Sequence, residues 1–374
     1  MSTCVVVGGG ILGTLHAYFA QQAGMKVLHL ESSENPDGAS VRNFGLIWVS
    51  GRRAGDELLL ALRARKLWDE IGDEIPRTGF RRHGSLTLAR NESEWHVARL
   101  AAELPDASAR GFELLDRHEV LKLEPAIKGV IHGALRCAQD AIVEPQYVLG
   151  AIRQYMQTKD ENYLWKPNCE IVDFSVHGDE CRMKTADGEL IQGDYVILAP
   201  GAAHYGVFGE LFNGEPIRRV RLQMAATEVS SLRLQHSLAD ADSFRYYPAY
   251  KGCELDSLGP QHPTADEFHM QLLLAQRLDG SFTIGDTHEY QEPLDRTIHS
   301  APYDYLSQTL HDIFGSSQQI VRKWDGIYSQ MTDEQIYFRK IISPRVHLIS
   351  GLGGRGNTLS PAVAETTLMM MSRA

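Results

Sequence analysis

The chain begins with two short apolar runs separated by a stretch of small and apolar residues. Residues 4–7 and 26–30 have the length and composition of buried strands, whereas residues 11–23 have the character of a buried helix. This order predicts a βαβ unit at the start of the chain. Leucines at helical spacing over residues 58–71, followed by Pro76, predict an amphipathic helix after it.

Strand-like patterns dominate the later part of the chain. Strands are predicted at residues 169–174, 181–185, 195–198, 271–274, 281–284 and 346–350. A turn at residues 178–179 is expected between the first two, and residues 216–300 are expected to be mostly β-structure. Helices are predicted from about Gln146 and, at the end of the chain, from about Pro361.

Composition excludes several classes of protein. The 374 residues, 43% of them hydrophobic, are enough for one large or two interleaved domains, and no low-complexity linker separates them. A net charge of −11 argues against a nucleic-acid-binding surface, because phosphate recognition depends on lysine and arginine. A small molecule is the expected partner, and no particular oligomeric state is indicated.

The cysteines and the apolar runs give expectations about location. Five cysteines without a close pair predict neither a disulfide framework nor a metal site, and a reducing cytoplasm suits them. No apolar run reaches the roughly 18 residues expected of a membrane span. The start of the chain also lacks the features of a signal peptide. We therefore expect a soluble, cytoplasmic protein.

A glycine motif follows the first predicted strand. Gly8, Gly10 and Gly13 have the GxGxxG spacing that allows a tight turn, close approach of a pyrophosphate and close packing of helix on strand. Glu31 ends the next predicted strand, where its carboxylate would accept hydrogen bonds from adenosine ribose hydroxyls and would repel the 2′-phosphate of NADP. The motif predicts a dinucleotide site, either NAD or FAD. The alternative is a common glycine turn with an acidic residue nearby by chance.

A second glycine-rich loop favours a flavin. Residues 351–358 lie between the last predicted strand and the closing helix. A helix N-terminus there would suit the N1/C2=O edge of a flavin, where negative charge accumulates on reduction, whereas a nicotinamide enzyme has no evident use for it. An ordinary glycine-rich loop is the simpler alternative.

Four segments together resemble a known family, the D-amino-acid oxidase, glycine oxidase and sarcosine oxidase family of FAD enzymes. They are residues 5–13 with Glu31, residues 40–46, residues 196–201 and residues 351–358. The resemblance, which covers essentially the whole chain, implies an α/β fold of two domains. One would be a Rossmann-like FAD-binding domain and the other a mostly antiparallel β-sheet domain that holds the substrate. The expected ranges are 1–80, 140–215 and 320–374 for the FAD-binding domain and 81–139 and 216–319 for the substrate-binding domain.

The resemblance also implies the residues that contact FAD. Residues 40–46 look like the family's segment beside the isoalloxazine and pyrophosphate, and Ile171 corresponds to the apolar residue whose backbone meets the adenine. Non-covalent FAD is expected, because sarcosine oxidases attach flavin through a cysteine near the C-terminus and the last cysteine here is Cys253. The expected FAD contacts are Gly8, Gly10, Ile11, Leu12, Gly13, Glu31, Ser32, Ser40, Arg42, Asn43, Phe44, Gly45, Leu46, Ile171, Ala199, Gly201, Gly353, Gly354, Arg355, Gly356, Asn357 and Thr358.

The substrate implied by the resemblance is an amine with an anionic group. Members that act on amino acids place an arginine where this chain has Tyr328, and sarcosine oxidases place a carboxylate-binding lysine where it has Thr358. Residues 42–45 and 285–290 resemble a subgroup associated with aminophosphonate breakdown. The implied substrate is a 2-aminoethylphosphonate derivative, N-methylated or 1-hydroxylated. Hydride transfer to flavin N5 and hydrolysis of the imine would give a phosphonoaldehyde and an amine.

Candidate substrate-binding and catalytic residues follow from these segments. They are His288, Tyr328, Tyr246, Tyr247 and Arg52, with Arg53 and Arg355 as further cations for the anion. Simpler roles are a loop cap for the histidine, a solvated turn for Arg52 and Arg53, and core packing for Tyr246 and Tyr247. Two other functions are compatible with the sequence, namely a D-amino acid, glycine or sarcosine oxidase or dehydrogenase, and a binding protein without catalysis. Either O₂ or a quinone would suit as electron acceptor.

Overall fold

Two large β-sheets organise the protein, which is described by a computed structural model over residues 1–178 and 180–372. The strands are β1 (Thr3–Val7), β2 (Lys26–Leu30), β3 (Leu46–Ile47), β4 (Ser85–Ala89), β5 (Phe112–Asp116), β6 (Gly133–Cys137), β7 (Ala141–Ile142), β8 (Tyr163–Lys166), β9 (Ile171–His177), β10 (Glu180–Thr185), β11 (Leu190–Gly193), β12 (Tyr195–Leu198), β13 (Ile217–Val229), β14 (Ser237–Ala239), β15 (Leu273–Gln276), β16 (Ser281–Gly285), β17 (Ile320–Met331), β18 (Phe338–Ser343) and β19 (Val346–Ser350). The helices are α1 (Ile11–Gln22), α2 (Asp56–Glu74), α3 (Glu92–Ala102), α4 (Ala107–Arg110), α5 (Arg117–Leu123), α6 (Val148–Lys159), α7 (Asp242–Tyr246), α8 (Pro263–Glu267), α9 (Ala301–Phe314) and α10 (Gly356–Met371). Short 3₁₀ turns lie at Ala39–Val41, Pro76–Thr78, Gly206–Phe212, Pro248–Tyr250, Leu255–Leu258 and Gly353–Arg355.

The first sheet is mostly parallel and contains the predicted βαβ unit. Its order is β18-β19-β12-β1-β2-β8, and only β18 runs antiparallel to its neighbour. Strand β1 lies between β12 and β2 and is almost wholly buried, as its continuous apolar run requires in a parallel sheet. Helices α1, α2 and α10 pack together beside this sheet. The predicted Rossmann-like part of the fold is confirmed.

The second sheet is mostly antiparallel, as expected. Its order is β17-β13-β16-β15-β14-β4-β6-β5, with one parallel pair between β14 and β4. The prediction of mostly β-structure over residues 216–300 holds only in part, because α7, α8 and two 3₁₀ turns lie between β14 and β15.

Two predictions include residues outside the described ranges. The predicted turn at 178–179 includes Asp179, and the predicted range of the FAD-binding domain includes residues 373–374.

One strand joins a different sheet from the one that the predicted domain ranges imply. Strand β17 pairs with β13 along a ladder that runs from Ile217 opposite Met331 to Thr227 opposite Ile320. It therefore belongs to the antiparallel sheet, whereas the predicted range 320–374 placed it with the FAD-binding domain. The domain ranges otherwise stay a prediction.

The closing helix α10 begins at Gly356, five residues before the predicted start at Pro361. A proline within a helix cannot donate a hydrogen bond to the carbonyl four residues earlier. Here that carbonyl belongs to Asn357, and it accepts a hydrogen bond from Trp68 Nε1 at 2.7 Å instead. A side chain of α2 therefore supplies the donor that Pro361 lacks, so the helix extends through the proline.

Replacing Trp68 with phenylalanine should lower the free energy of unfolding by about 1–3 kcal/mol, because it leaves the Asn357 carbonyl buried without a donor. Urea denaturation followed by circular dichroism measures the loss. The half-buried Trp95 provides a control, for which the same replacement should cost less than about 1 kcal/mol. Equal losses for the two variants would argue against the special role of Trp68.

Candidate active site

A cavity of about 580 Å³ is lined by residues of the antiparallel sheet, of helices α1, α2, α7 and α10, and of the loops between elements. Of the residues singled out in the sequence, it is lined by Ile11, Ser40, Arg42, Asn43, Phe44, Leu46, Arg52, Arg53, Tyr246, Tyr247, His288, Tyr328, Gly353, Gly354, Arg355, Gly356 and Asn357. The remaining predicted FAD contacts lie outside its wall: Gly8, Gly10, Leu12, Gly13, Glu31, Ser32, Gly45, Ile171, Ala199, Gly201 and Thr358. Residues far apart in sequence thus converge on one space.

The first glycine loop leaves no room for side chains. A Cβ atom on Gly8 would lie 2.3 Å from the Ala199 carbonyl oxygen, and one on Gly13 would lie 1.9 Å from the Gly8 carbonyl oxygen. Gly10 precedes α1, whose N-terminus has no side-chain cap, and a Cβ on it would approach Ser40 Oγ at 3.0 Å. The Ile11 N–H donates to Ser40 Oγ at 2.9 Å, so a phosphate at this helix N-terminus would meet the other N–H groups of the first turn.

Glu31 lies beside this loop and holds it in place. Its Oε2 accepts a hydrogen bond from Gly9 N at 2.7 Å, while Oε1 accepts from Ser33 N and Ser32 Oγ, both at 3.0 Å. An ionised carboxylate offers about four acceptor positions, so one is left for a ligand hydroxyl. The predicted ribose contact is compatible with this geometry.

Two further predicted FAD contacts lie near the ends of strands. Ile171 is buried at the start of β9, just after a segment in which Cys169 N donates to the Glu31 carbonyl at 2.8 Å. Gly201 follows β12 in a left-handed conformation, and its carbonyl accepts from Ser350 Oγ at 2.7 Å. Both contacts thus lie close to the elements around the first glycine loop, residues 8–13, which is called the glycine cradle below.

Asn43 joins the segment 39–45 to the second glycine loop. Its Nδ2 donates to the Ala39 carbonyl at 2.6 Å, and its Oδ1 accepts from Gly45 N at 2.6 Å and from Asn357 Nδ2 at 2.8 Å. Gly45 has a φ of 74°, and a Cβ on it would lie 2.1 Å from the Val143 carbonyl oxygen. The two segments predicted to contact the flavin are therefore held together by side-chain hydrogen bonds.

A pair of arginines at the cavity shares one carboxylate. Glu57 Oε1 lies 3.6 Å from Arg52 Nη1 and 3.5 Å from Arg355 Nη1. Arg52 also donates from Nε to the Trp48 carbonyl at 2.8 Å, and its guanidinium lies 5.4 Å from the centre of the Tyr247 ring. Two cations with one anion leave a net positive charge at this part of the cavity.

His288 lies on another wall of the cavity in its neutral form. Its Nδ1 donates to the His269 carbonyl at 3.0 Å, which leaves Nε2 as an acceptor, 3.8 Å from Asp286 Oδ2. Burial lowers the pKa of His288 to about 4. The ring also packs against Tyr246, with centroids 4.4 Å apart. The predicted loop contact is present, yet the ring still faces the cavity.

Asp286 lines the cavity but is not among the site residues predicted from the sequence. It directly follows β16, is buried, and has its pKa raised to about 8 by burial. Segment 285–290 was notable only for its resemblance. A carboxylate directly after a fully buried strand is the signal that would have identified it.

The tyrosines of the cavity stay neutral. Burial raises the pKa of Tyr246, Tyr247 and Tyr328 well above the usual value for a phenol. The Tyr328 hydroxyl has no hydrogen-bond partner within the described residues. Such phenols are available as hydrogen-bond donors to an anionic ligand.

The comparison with known proteins identifies the family. Residues 3–368 match the family described as "DAO: FAD dependent oxidoreductase". The chain belongs to this family of FAD-dependent oxidoreductases. The predicted family and cofactor are thereby confirmed.

Sequence and structure comparisons also show individual proteins to which this flavoprotein is similar. One subunit of the opine oxidase from Rhizobium meliloti is 24% identical over 243 residues, which cover 61% of this chain and 64% of that relative. The alignment therefore spans less than two thirds of the relative's length. Crystallised glycine oxidase from Geobacillus kaustophilus superposes with a TM-score of 0.79 at 17% identity, covering 100% of this chain and 95% of the other.

A second similar structure was solved with FAD. The dithionite-reduced L-alpha-glycerophosphate oxidase of Mycoplasma pneumoniae has a TM-score of 0.76 and 18% identity, with 100% of this chain and 95% of that one covered. At such identities the two structural similarities establish the fold, and the predicted two-domain fold class is confirmed.

The residues of this flavoprotein fit FAD. Several buried polar atoms of residues that line the cavity have no hydrogen-bond partner within residues 1–178 and 180–372: Trp48 Nε1, Gln271 Oε1, Asp286 Oδ1, Tyr328 Oη and Asn357 Oδ1. Buried polar groups are rarely left unpaired in native proteins, so these atoms indicate ligands. Together with the glycine cradle they suit a large cofactor with polar edges and a polar substrate beside it.

Two predicted contacts have their side chains engaged elsewhere. Thr358 is almost fully buried, and its Oγ1 accepts a hydrogen bond from Trp48 N at 2.9 Å. The Arg53 guanidinium donates to the Glu334 carbonyl at 2.6 Å and lies 3.6 Å from its carboxylate. Arg53 is therefore a weaker candidate for the anion than Arg52 or Arg355.

Residues 1–178 and 180–372 were also compared with the requirements of a metal site, a disulfide and a membrane-spanning helix. No group of histidine, cysteine, aspartate and glutamate side chains in this part is arranged to hold a metal ion. The five cysteines are free and buried. None of the helices in the same ranges is both long and apolar enough to cross a membrane.

Proposed function

We propose that this flavoprotein oxidises an amine with an anionic group, and that the anion is a phosphonate of the 2-aminoethylphosphonate class. The observation that carries the proposal is the arginine pair, Arg52 and Arg355, which share the carboxylate of Glu57 at the cavity. Bound FAD supplies an acceptor for the hydride equivalent that leaves the carbon next to nitrogen. The protein binds and orients the substrate, and the imine product hydrolyses to an aldehyde and an amine.

The arrangement of donors favours a phosphonate over a carboxylate. A carboxylate is planar and suits one bidentate arginine, whereas a phosphonate is tetrahedral and carries up to two charges. The donors at this cavity include the arginine pair and several neutral phenols, among them Tyr246 and Tyr328. The similar glycerophosphate oxidase is named for a substrate with a phosphoryl group, which supports the same preference.

The residues predicted from the family resemblance are proposed as FAD contacts on the same grounds. The backbone of residues 8–13 would hold the pyrophosphate and Glu31 the ribose. Residues 40–46 and the loop 353–357 would border the flavin ring, since both line the cavity and are hydrogen-bonded to each other.

A glycine, sarcosine or D-amino acid oxidase or dehydrogenase is the second candidate. It is supported by the structural similarity to glycine oxidase and by the alignment with the opine oxidase. In that case the arginine pair would hold a carboxylate.

Anaerobic titration of the FAD-loaded protein distinguishes the two. We expect 2-aminoethylphosphonate or its N-methyl derivative to bleach the flavin absorbance, and glycine, sarcosine and D-alanine to leave it yellow. Ethylphosphonate, which lacks the amine, serves as a control that binds without bleaching. Bleaching by an amino acid but by neither aminophosphonate would reject the phosphonate and support the second candidate.

A further inference from the structure

We infer that Asp286 binds the nitrogen of the substrate and takes a proton from it, so that the amine is oxidised as the free base. This inference rests on the proposed amine oxidation but not on the nature of the anion. It assigns a catalytic role to a residue outside the set predicted from the sequence.

The carboxyl group of Asp286 has one oxygen without a hydrogen-bond partner in the described part of the chain and lies beside the Gln271 side chain. The residue lines the cavity with 6% exposure, and its position is set by its backbone N–H, which donates to the Gln271 carbonyl at 3.1 Å. Its Oδ1 lacks a hydrogen-bond partner within residues 1–178 and 180–372, and no lysine or arginine of that part forms an ion pair with it. A buried carboxyl group without a partner is costly unless a ligand supplies one.

A chain of contacts through Tyr247 and Gln271 connects Arg52 to Asp286. The Arg52 guanidinium lies 5.4 Å from the centre of the Tyr247 ring, and the Tyr247 hydroxyl accepts from Gln271 Nε2 at 3.4 Å. Gln271 in turn contacts Asp286 through its backbone. The cavity thus has net positive charge at Arg52 and a separate carboxyl group at Asp286. A substrate with an anion at one end and an amine at the other matches this polarity.

The proton transfer balances without any further reactant. One N–H bond of the substrate ammonium breaks, an O–H bond forms on the Asp286 carboxylate, and the electron pair stays on nitrogen. The free amine is required because its lone pair stabilises the positive charge that develops as hydride leaves the adjacent carbon. His288 Nε2, 3.8 Å from Oδ2, is the nearby acceptor toward which the protonated carboxyl can turn.

The charge state of Asp286 is the one that changes near neutral pH. The titratable groups that face it are His288, Tyr246, Tyr247, Tyr290 and Tyr328. Burial lowers the pKa of the histidine to about 4 and raises the pKa of the four phenols, so these groups stay neutral. Burial also raises the pKa of Asp286 to about 8, which brings it closer to that of an ammonium group. The carboxylate is therefore ionised above about pH 8 and protonated below it.

Binding of a matched pair of inert compounds to the FAD-loaded protein tests the inference. N,N,N-trimethyl-2-aminoethylphosphonate has a fixed cation and no lone pair to support oxidation, and 3,3-dimethylbutylphosphonate is its uncharged isostere. We expect calorimetry to show that wild type binds the cation about 10-fold more tightly at pH 9. At pH 7, where Asp286 is protonated, the preference should shrink. Asp286→Asn should abolish it at both pH values while FAD stays bound.

Asp240→Asn is the matched control variant. Asp240 is also buried with its pKa raised to about 8, but it lines a different cavity. This variant should keep the wild-type preference. With 2-aminoethylphosphonate in rapid mixing, the rate of flavin bleaching should rise through about pH 8 in wild type, and Asp286→Asn should lose that inflection.

The outcomes separate this inference from the proposed function. If the phosphonates fail to bind but the carboxylate pair, 3-(trimethylammonio)propionate and 4,4-dimethylpentanoate, shows the preference, the phosphonate is rejected and Asp286 keeps its role. An equal affinity for the two members of each pair in wild type overturns the role of Asp286, and so does a preference that survives in Asp286→Asn. If Asp286→Asn does not fold, the change in this preference between pH 9 and pH 7 in wild type still tests the role of Asp286.

Discussion

Gly13→Ala is expected to yield a protein that is purified without FAD. The new Cβ would lie 1.9 Å from the Gly8 carbonyl oxygen, which is backbone and cannot move aside alone. Helix α1 would have to shift away from β1, carrying its N-terminus away from the pyrophosphate. We expect FAD affinity to fall about 100-fold, since such overpacking costs about 1–3 kcal/mol and the shift removes phosphate contacts. Flavin absorbance per protein and fluorescence titration of the apoprotein measure it.

Gly150→Ala is the control for that substitution. Gly150 lies in α6, and a Cβ there would meet no atom within 4 Å. This variant should retain FAD and gain roughly 0.5–1 kcal/mol of stability, because alanine favours the helix. Full FAD occupancy in Gly13→Ala, with circular dichroism like that of wild type, would contradict the assignment of the first glycine loop.

Arg52→Met is expected to weaken binding of the anion about 10–150-fold, as a charge-assisted hydrogen bond contributes about 1.5–3 kcal/mol. Methionine keeps apolar contact with Tyr247 but leaves Glu57 with Arg355 alone, so the net positive charge disappears. FAD should remain bound. The dissociation constant of ethylphosphonate, followed by the flavin difference spectrum, reports the change without any turnover.

Arg53→Met provides the comparison at the neighbouring position. Arg53 is 36% exposed and is engaged with Glu334, so its loss should change the same dissociation constant less than about 3-fold. A larger effect at Arg53 than at Arg52 would mean that the anion binds beside Arg53 and not at the arginine pair.

Local patterns in the sequence were sufficient to predict the bounds of strands that are buried on both faces. Residues 26–30, 195–198 and 346–350 were predicted with the bounds that the structure shows, because parallel strands in the interior require continuous apolar runs. Pro361 misled the prediction of the last helix because the compensating donor, Trp68, is far away in sequence. The sheet to which β17 belongs was equally hidden, since it depends on pairing with β13.

The sequence predicted only those parts of the site in which a residue acts through its local geometry. The glycines and Glu31 act through local geometry, and the structure places them together. The significance of Arg52 depends on Glu57 and Arg355, which only the folded chain brings together. Asp286 was not predicted because the signal depends on complete burial of β16, which pairing with the distant strand β13 and with β15 brings about.

The central position of β1 has a consequence for the order in which the protein is made. The antiparallel strands β9, β10 and β11 are neighbours in sequence and can pair as soon as they are synthesised. The sheet around β1, in contrast, is completed by β19, and the loop 353–357 follows that strand. A nascent chain that has reached only residue 345 lacks both. Capture of the cofactor is therefore a late event of biosynthesis, and the early hairpins must persist without it.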